Sequence, residues 1–182
     1  MPVIRLLLWL LGAVLLGGIV HLATVLLIPL MASQDAFARV SAVAPVNTVV
    51  AIPSPTPEKA LMPFMDPAFV VSICRYDLSR GPLKFSVPIS QAYTSVSFYT
   101  RNDVAYYAIN DRAAGRRVIE LDLMTTAQRA DLPENEEITR ADRLIVTSPT
   151  TTGLIVIRAL VPEGGSATAA RSVLAAAQCR PQ

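Results

Sequence analysis

The sequence predicts an α+β fold, in which an N-terminal transmembrane helix precedes a mainly antiparallel β-sheet of about six strands with short flanking helices. Three observations lead to this prediction. An uncharged apolar run covers residues 6–28, stretches of alternating apolar and polar residues recur between residues 83 and 123, and turn-forming residues separate these stretches. Strands that follow one another through short turns pair antiparallel. We therefore expect a membrane anchor followed by one folded domain.

The apolar run is long enough to cross a bilayer. Residues 6–28 carry no charged side chain, and a helix of this length, with a rise of about 1.5 Å per residue, covers roughly 34 Å. A cleavable signal peptide is the alternative, but its apolar core is only about 7 to 15 residues long, and Leu30-Met31-Ala32 is a poor cleavage site. We predict an uncleaved anchor over residues 1–32, with the helix ending near Pro29.

One face of the predicted helix carries small and polar residues. Spacings of four and three place four residues on this face: Ala13, Gly17, His21 and Thr24. Ala13-x-x-x-Gly17 allows the backbone of another helix to approach closely, and His21 then has a partner across the gap. We therefore predict helix association or self-association through this face. The alternatives are a neutral His21 that reaches the membrane interface or bonds its own helix, and a proton relay, for which one helix supplies only one link.

Charge and cysteine usage predict on which side of the membrane the domain lies. Arg5 and the amino terminus precede the helix, whereas the nearest charges after it, Asp35 and Arg39, offset each other. The positive-inside rule therefore favours a cytoplasmic N-terminus. The only two cysteines, Cys74 and Cys179, belong to no metal-binding cluster and could pair in an oxidising compartment. Two unrelated buried thiols are the alternative.

Between the anchor and the domain, residues 33–62 are expected to form a proline-rich stalk. After a short helix near residues 32–40, closely spaced prolines fix the backbone and remove hydrogen-bond donors, which favours an extended polyproline-like chain. These prolines are Pro45, Pro53, Pro55 and Pro57. Residues 63–182 have about the usual size of one domain and are expected to form the α+β domain.

The elements of this domain follow from local patterns. Asp66 and Pro67 are typical of a helix start, which predicts a short helix to about Arg75. Strands are predicted at residues 83–89, 94–100, 104–110, 116–123, 143–149 and 153–161, with hairpin loops at 101–103 and 150–152. A short helix is predicted at 124–132, a charged loop at 133–142, and a closing helix at 164–179 capped by Ser166.

Composition excludes several functions. Sixteen basic and fourteen acidic residues give a net charge of +2, which leaves no basic surplus for nucleic-acid binding. The only histidine lies in the apolar run, so the domain lacks a Ser-His-acid or Cys-His pair and has few zinc ligands. We predict no catalytic, cofactor-binding or metal-binding residues.

Two weaker patterns keep an enzyme as the alternative. Glu120 and Asp122 lie at alternate positions of one strand, where they form either a carboxylate pair for glycoside chemistry or the ordinary polar side of a strand. Aromatic residues gather on two neighbouring strands, where they either pack in the sheet or bind a ligand. They are Tyr93, Phe98, Tyr99, Tyr106 and Tyr107.

Residues 74–112, CRYDLSRGPLKFSVPISQAYTSVSFYTRNDVAYYAINDR, resemble the family called domain of unknown function 1254. A YDL-x-x-GP segment leads there into a strand with valine and proline and then into aromatic-rich strands, and short members begin with a membrane helix. The resemblance implies a bacterial envelope protein, accompanied by a companion envelope protein of related type. No catalytic residues are established for the family, so the resemblance assigns none.

These observations together predict a single-pass protein of the bacterial inner membrane, with its N-terminus in the cytoplasm and its domain in the periplasm. We expect it to act as a non-catalytic binding or assembly module, with the lipid bilayer and another transmembrane helix as partners. An envelope enzyme acting on a glycan or small polar substrate through carboxylates and tyrosines is the alternative hypothesis.

Overall fold

The computed structural model describes residues 2–31, 35–56, 58–115, 117–132, 144–161 and 167–182. The chain divides into two units, residues 1–33 and residues 34–182. The predicted charged loop at 133–142 and the predicted cap Ser166 lie outside the described residues.

The first unit is a single helix, α1, at Pro2–Met31. Its segment Pro2–Ile28 is long and apolar enough to span a membrane. The helix ends two residues beyond Pro29, where the sequence predicted its end. Proline removes only its own N–H bond to the carbonyl four residues earlier, so a proline in the last turn leaves most of that turn intact.

The second unit is built from nine strands and four short helices within the described residues. The strands are β1 (Val49–Ile52), β2 (Phe69–Asp77), β3 (Leu83–Pro88), β4 (Thr94–Thr100), β5 (Ala105–Asn110), β6 (Val118–Thr125), β7 (Leu144–Ser148), β8 (Thr152–Leu160) and β9 (Gln178–Pro181). The helices are α2 (Ala36–Ser41), α3 (Asp111–Ala114), α4 (Thr126–Ala130) and α5 (Ala167–Ala175).

The strands form two sheets. The five-stranded sheet has the order β1-β2-β8-β4-β5, and the four-stranded sheet has the order β7-β6-β3-β9. All strand pairs are antiparallel except β6 and β7, which are parallel. The predicted α+β class, with a mainly antiparallel sheet arrangement, is confirmed.

The main core lies between the two sheets. Alternate residues of β4 and β8, such as Phe98 and Ile155, meet Phe85 and Leu121 of the four-stranded sheet, and all four side chains are at most 2% exposed. Leu174 of α5 joins the same cluster. Period-two alternation therefore buries one face of each sheet against the other.

The structure has three more strands than the six predicted, and one of them, β2, replaces a predicted helix. The expected helix from Asp66 to about Arg75 is wrong, because Phe69–Asp77 is a strand. The Asp66 carboxylate does accept a hydrogen bond from a backbone N–H, that of Ala68 at 2.9 Å, but this bond closes a turn before the strand. The segment is rich in β-branched and aromatic residues, which favour strand over helix.

The predicted hairpin between residues 143–149 and 153–161 is also wrong. Both segments are strands, but β7 pairs with β6, and β8 lies between β2 and β4. Two consecutive apolar strands joined by three threonines are typical of a hairpin, but here the two strands belong to different sheets. The predicted hairpin at residues 101–103, between β4 and β5, is confirmed, as is the short helix near 124–132, which is α4.

The short helix expected near residues 32–40 corresponds to α2, whereas residues 49–52, expected to be extended chain, form a paired strand. This strand, β1, pairs with β2 through Ile52 opposite Val71. Val40 of α2 is fully buried. Pro45 and Pro53 lie between or just after these elements, where a missing N–H breaks no helix or ladder bond.

Candidate functional site

The outer face of the five-stranded sheet carries an apolar pocket of about 370 Å³. Its floor is formed by Ile73 on β2 and by Leu154 and Val156 on β8, each less than 9% exposed. The edge strand β1 contributes Ile52. This volume lies in the range of small-molecule pockets, about 300 to 1,000 Å³.

The pocket exists because the central strands are apolar on both faces. On β8, Ile155 and Ile157 point to the core between the sheets, while Leu154 and Val156 point to the second cluster on the outer face. A strand covered on both sides has a nearly continuous apolar sequence, as residues 154–157 have. The outer face therefore needs a cover, and α2 and the loop at residues 61–66 contribute it.

Asp35 fixes the start of α2. Its carboxylate accepts a hydrogen bond of 2.7 Å from the Ala38 N–H and lies 2.9 Å from Nη1 of Arg101, on the β4–β5 loop. The Arg101 guanidinium in turn lies 4.2 Å from the centre of the Phe37 ring. A capping bond, an ion pair and a cation–π contact thus join α2 to the five-stranded sheet.

Asp103 lines the pocket and accepts a hydrogen bond of 3.1 Å from the Ala36 N–H. Burial raises the pKa of the Asp103 carboxyl; the bond from Ala36 opposes this rise, and the charge of Asp35 adds to it. Burial also raises the pKa of Asp35, but the hydrogen bond from Ala38 and the Arg101 guanidinium outweigh it and hold this pKa below its usual range. Of the two carboxylates, Asp103 is therefore protonated first as the pH falls.

The loop at residues 61–66 forms one lip of the pocket. Its first five residues, Leu-Met-Pro-Phe-Met, carry no charge, and Arg39 of α2 donates a hydrogen bond of 3.4 Å to the Leu61 carbonyl. Phe64 is fully exposed and has a φ of 58°, in the left-handed region. An exposed phenyl ring on a left-handed backbone is unusual for a bulky residue. The lip therefore presents an apolar surface to its surroundings.

Arg158 lies on the pocket wall among apolar neighbours. On β8 it is paired with Val71 on one side and Ser95 on the other, and its side chain is partly buried. Within the described part of the chain, its guanidinium makes no hydrogen bond or ion pair. The two acidic groups that line the pocket, Asp66 and Asp103, both accept hydrogen bonds from backbone N–H groups. Arg158 therefore has donors available to a ligand.

Cys74 and Cys179 are joined by a disulfide in the structure, with their Cα atoms 6.5 Å apart. Cys74 lies on β2 of the five-stranded sheet and Cys179 on β9 of the four-stranded sheet. The sequence placed these cysteines on the first and last helices of the domain, whereas the structure places both on strands. The bond thus connects the two sheets across their shared core.

The four residues of the predicted association face lie on α1. The Thr24 hydroxyl donates a hydrogen bond of 2.8 Å to the Val20 carbonyl of its own helix. No described atom beyond the helix backbone lies within 4 Å of a methyl group built on Gly17. Ala13 and His21 are exposed on the same helix.

The carboxylates and most of the aromatic residues considered for catalysis lie on different sheets. Glu120 and Asp122 line a small cleft on the four-stranded sheet together with Lys84 and Arg180. The aromatic residues of β4 and β5 belong to the five-stranded sheet, where Phe98 is fully buried and packs against Tyr107, with ring centres 5.7 Å apart. In the described residues, no three His, Cys, Asp or Glu side chains are grouped to hold a metal ion.

Sequence reasoning did not single out Tyr76, which is the centre of a buried hydroxyl cluster. Its hydroxyl lies 2.9 Å from that of Ser148 and 3.2 Å from that of Tyr106, and it donates to the Tyr99 carbonyl at 3.2 Å. Its cross-strand partner is Gly153. A glycine within a long apolar strand was the signal that another group approaches closely there.

Sequence reasoning also missed the pocket itself. Its floor residues are ordinary apolar strand residues, and nothing in their order shows that the outer face is incompletely covered. Arg158 was the available signal, because it interrupts the apolar run GLIVI-R-ALV on a strand that is otherwise apolar on both faces.

Comparison with solved structures shows the fold. The VPA0106 protein from Vibrio parahaemolyticus is 12% identical, with a TM-score of 0.59 over 81% of this chain and 34% of that protein. A second structure, an uncharacterised protein from Burkholderia cenocepacia, is 15% identical, with a TM-score of 0.43 over 70% of this chain and 35% of that protein. The chain thus spans about a third of the length of the structures it matches. No curated protein matches the chain in sequence.

The sequence profile of one family, described as proteins of unknown function and called DUF1254, matches residues 46–181. The match covers about three quarters of the chain and includes every strand of both sheets. The chain therefore belongs to the DUF1254 family.

Proposed function

We propose that this chain is a membrane-anchored binding module of the cell envelope, and that the pocket on the outer face of its five-stranded sheet holds an apolar ligand. The pocket is the observation that carries this proposal. It is of ligand size, its floor is almost wholly apolar, and a few polar groups stand at its rim, which is the usual composition of a small-molecule site.

The proposal includes a location for the domain. α1 anchors the chain in the inner membrane, and Arg5 keeps the amino terminus in the cytoplasm, so the domain lies in the periplasm. The Cys74–Cys179 disulfide supports this side of the membrane, because disulfides form and persist in oxidising compartments. A companion envelope protein, or a second copy of the chain associating through α1, would complete the assembly.

Binding is favoured over catalysis by the distribution of chemical groups. The carboxylate pair proposed for glycoside chemistry lies beside two cations on the four-stranded sheet, away from the pocket-bearing face. Of the tyrosines, only Tyr99 lines the pocket. An enzyme that used carboxylates and tyrosines together would need them in one site.

Photo-crosslinking tests the proposal with the full chain in phospholipid nanodiscs. The probe is hexadecanol carrying a diazirine, which is uncharged, and labelled peptides are identified by mass spectrometry. We expect label on peptides from the loop at 61–66, β2 and β8. Label on α1 is expected in every sample, because a probe dissolved in the lipid reaches a helix inserted in it. Label confined to α1 would contradict the proposal.

Two pocket-filling variants and one control make the test specific. Val71→Trp places an indole in the pocket from β2, and Met65→Trp does so from the lip. Ala108→Trp adds the same side chain to the exposed edge strand of the same sheet, outside the pocket. Both fillers should remove label from the pocket peptides, whereas Ala108→Trp should leave it unchanged. Pocket label that survives both fillers, in protein with an unchanged melting temperature, would refute the site.

A further inference from the structure

We propose, building on the function above, that the ligand is a single-chain anionic amphiphile of the bilayer: an acyl chain that enters the pocket and a carboxylate that binds Arg158. The juxtaposition of an apolar cavity and an available guanidinium carries this inference. Neither feature alone selects a ligand of this class.

The apolar part of the ligand is set by the pocket floor. Ile73, Leu154 and Val156 offer only hydrocarbon to a ligand, and two methionines of the lip, Met62 and Met65, also line the cavity. Methionine side chains are flexible and adapt to irregular apolar shapes. A flexible hydrocarbon chain fits such a lining, whereas a polar or sugar-like group would lose its hydrogen bonds to water there.

The charge of the ligand is set by Arg158. The guanidinium has five N–H donors and matches a carboxylate, which it binds through two parallel hydrogen bonds. Asp66 and Asp103 line the same pocket but already accept backbone hydrogen bonds. Because these two carboxylates would repel a doubly charged phosphate, a singly charged head group is the better match.

The bilayer is the source of the ligand. In the sequence, only three residues separate Met31, the last residue of α1, from Asp35, the first described residue after it. The lip at residues 61–65 is uncharged, and Phe64 is fully exposed on it. The lip therefore offers an exposed apolar surface beside the pocket, which the acyl chain of a membrane amphiphile can contact.

The experiment compares two diazirine probes of equal chain length, palmitate and hexadecanol, on the full chain in nanodiscs of phosphatidylcholine, a zwitterionic lipid with no net charge. Label on pocket peptides is normalised to label on α1 in the same sample. For the wild-type protein we expect the pocket to prefer palmitate over hexadecanol by roughly tenfold, the effect of one charge-assisted hydrogen-bonded contact.

Three variants assign the preference to Arg158. Arg158→Gln should abolish the preference for palmitate while hexadecanol still labels the pocket, and Arg158→Lys should restore part of it. Arg112→Gln removes an exposed arginine of α3, which does not line the pocket, and should leave the preference unchanged.

Each outcome separates this inference from the broader proposal. Hexadecanol label in the pocket without a palmitate preference overturns the anionic ligand and leaves the apolar site standing. An equal loss of both probes in Arg158→Gln shows that the arginine supports the structure of the pocket, which also overturns the inference. Absence of pocket label with both probes refutes the proposed function itself.

Discussion

At the scale of single residues, the hydroxyl of Tyr76 shows how the interior of this domain tolerates polar groups. Tyr76 is fully buried, yet its hydroxyl contacts Ser148, Tyr106 and the Tyr99 carbonyl. A buried hydroxyl without such partners costs about 1–3 kcal/mol. The cluster thus joins β2, β4, β5 and β7, and so both sheets, through one side chain.

Gly153 should be irreplaceable beside this cluster. A methyl group at this position would collide with the Tyr76 ring and hydroxyl and with the Tyr99 carbonyl, and the last of these is backbone. We expect Gly153→Ala to lower the free energy of unfolding by about 1–3 kcal/mol, the usual cost of overpacking, as measured by urea denaturation. Thr152→Ala, the preceding residue of the same strand, should change it by less than about 0.5 kcal/mol. Equal effects of the two substitutions would contradict this packing.

Tyr106 should make the domain less stable at high pH. Burial raises the pKa of the Tyr106 phenol, and the neighbouring Tyr76 adds to this rise. The protonated Tyr106 phenol contributes fully to the free energy of unfolding below the unfolded-state pKa of about 10. This contribution decreases as the pH rises further, because the unfolded chain then loses the proton first. Tyr106→Phe should therefore show a shallower loss of unfolding free energy above pH about 10. Ile109→Val, a control on the same strand that removes no phenol, should lose unfolding free energy with pH as steeply as the wild type. If Tyr106→Phe loses it just as steeply, Tyr106 does not cause the loss.

At the scale of elements, the structure shows where local sequence patterns are sufficient. The β4–β5 hairpin and α4 follow from short-range chemistry: Asp103 adopts a φ of 59° in the hairpin loop, and Thr125 and Gln128 form a capping box. Which strands pair with each other does not follow from such local patterns. β8 pairs with β2 and β4, not with its neighbour in sequence, β7. Such pairing depends on contacts between distant segments, which local periodicity does not encode.

The same limit explains the pocket and the segment predicted as a stalk. The prolines of residues 45–57 correctly mark breaks in regular structure, but α2 and β1 are stabilised by packing on β2 and β8, which the prolines do not report. The pocket lies where α2 and β1 meet β2 and β8. The association face of α1, by contrast, follows from helical spacing alone and is directly testable.

We expect Gly17→Leu to weaken association between α1 helices. A leucine at this position would hold a partner backbone away from the small face that also carries Ala13 and His21. Gly12→Leu is the matched control, since helical rotation places Gly12 away from this face. A transmembrane reporter of helix association in bacterial membranes should lose signal with Gly17→Leu and retain it with Gly12→Leu. Equal signals from both variants would contradict association through this face.

At the scale of the whole molecule, the proposed function connects three features: α1, which is long and apolar enough to span a membrane, the Cys74–Cys179 disulfide, and the apolar pocket. The helix and the fold class were readable from composition and alternation. The pocket was not, because it depends on how incompletely α2, β1 and the loop at 61–66 cover one sheet face. The proposed function requires that the chain stays in the membrane and that its domain lies in an oxidising compartment.

The intact mass of the protein tests this claim most directly. Membranes are dissolved in denaturant with an alkylating agent and no reductant, and the extracted chain is weighed by mass spectrometry. We predict a chain that still contains α1 and carries no alkyl group, because Cys74 and Cys179 are bonded to each other. A chain that lacks the α1 segment, or one with both cysteines alkylated, would contradict the account.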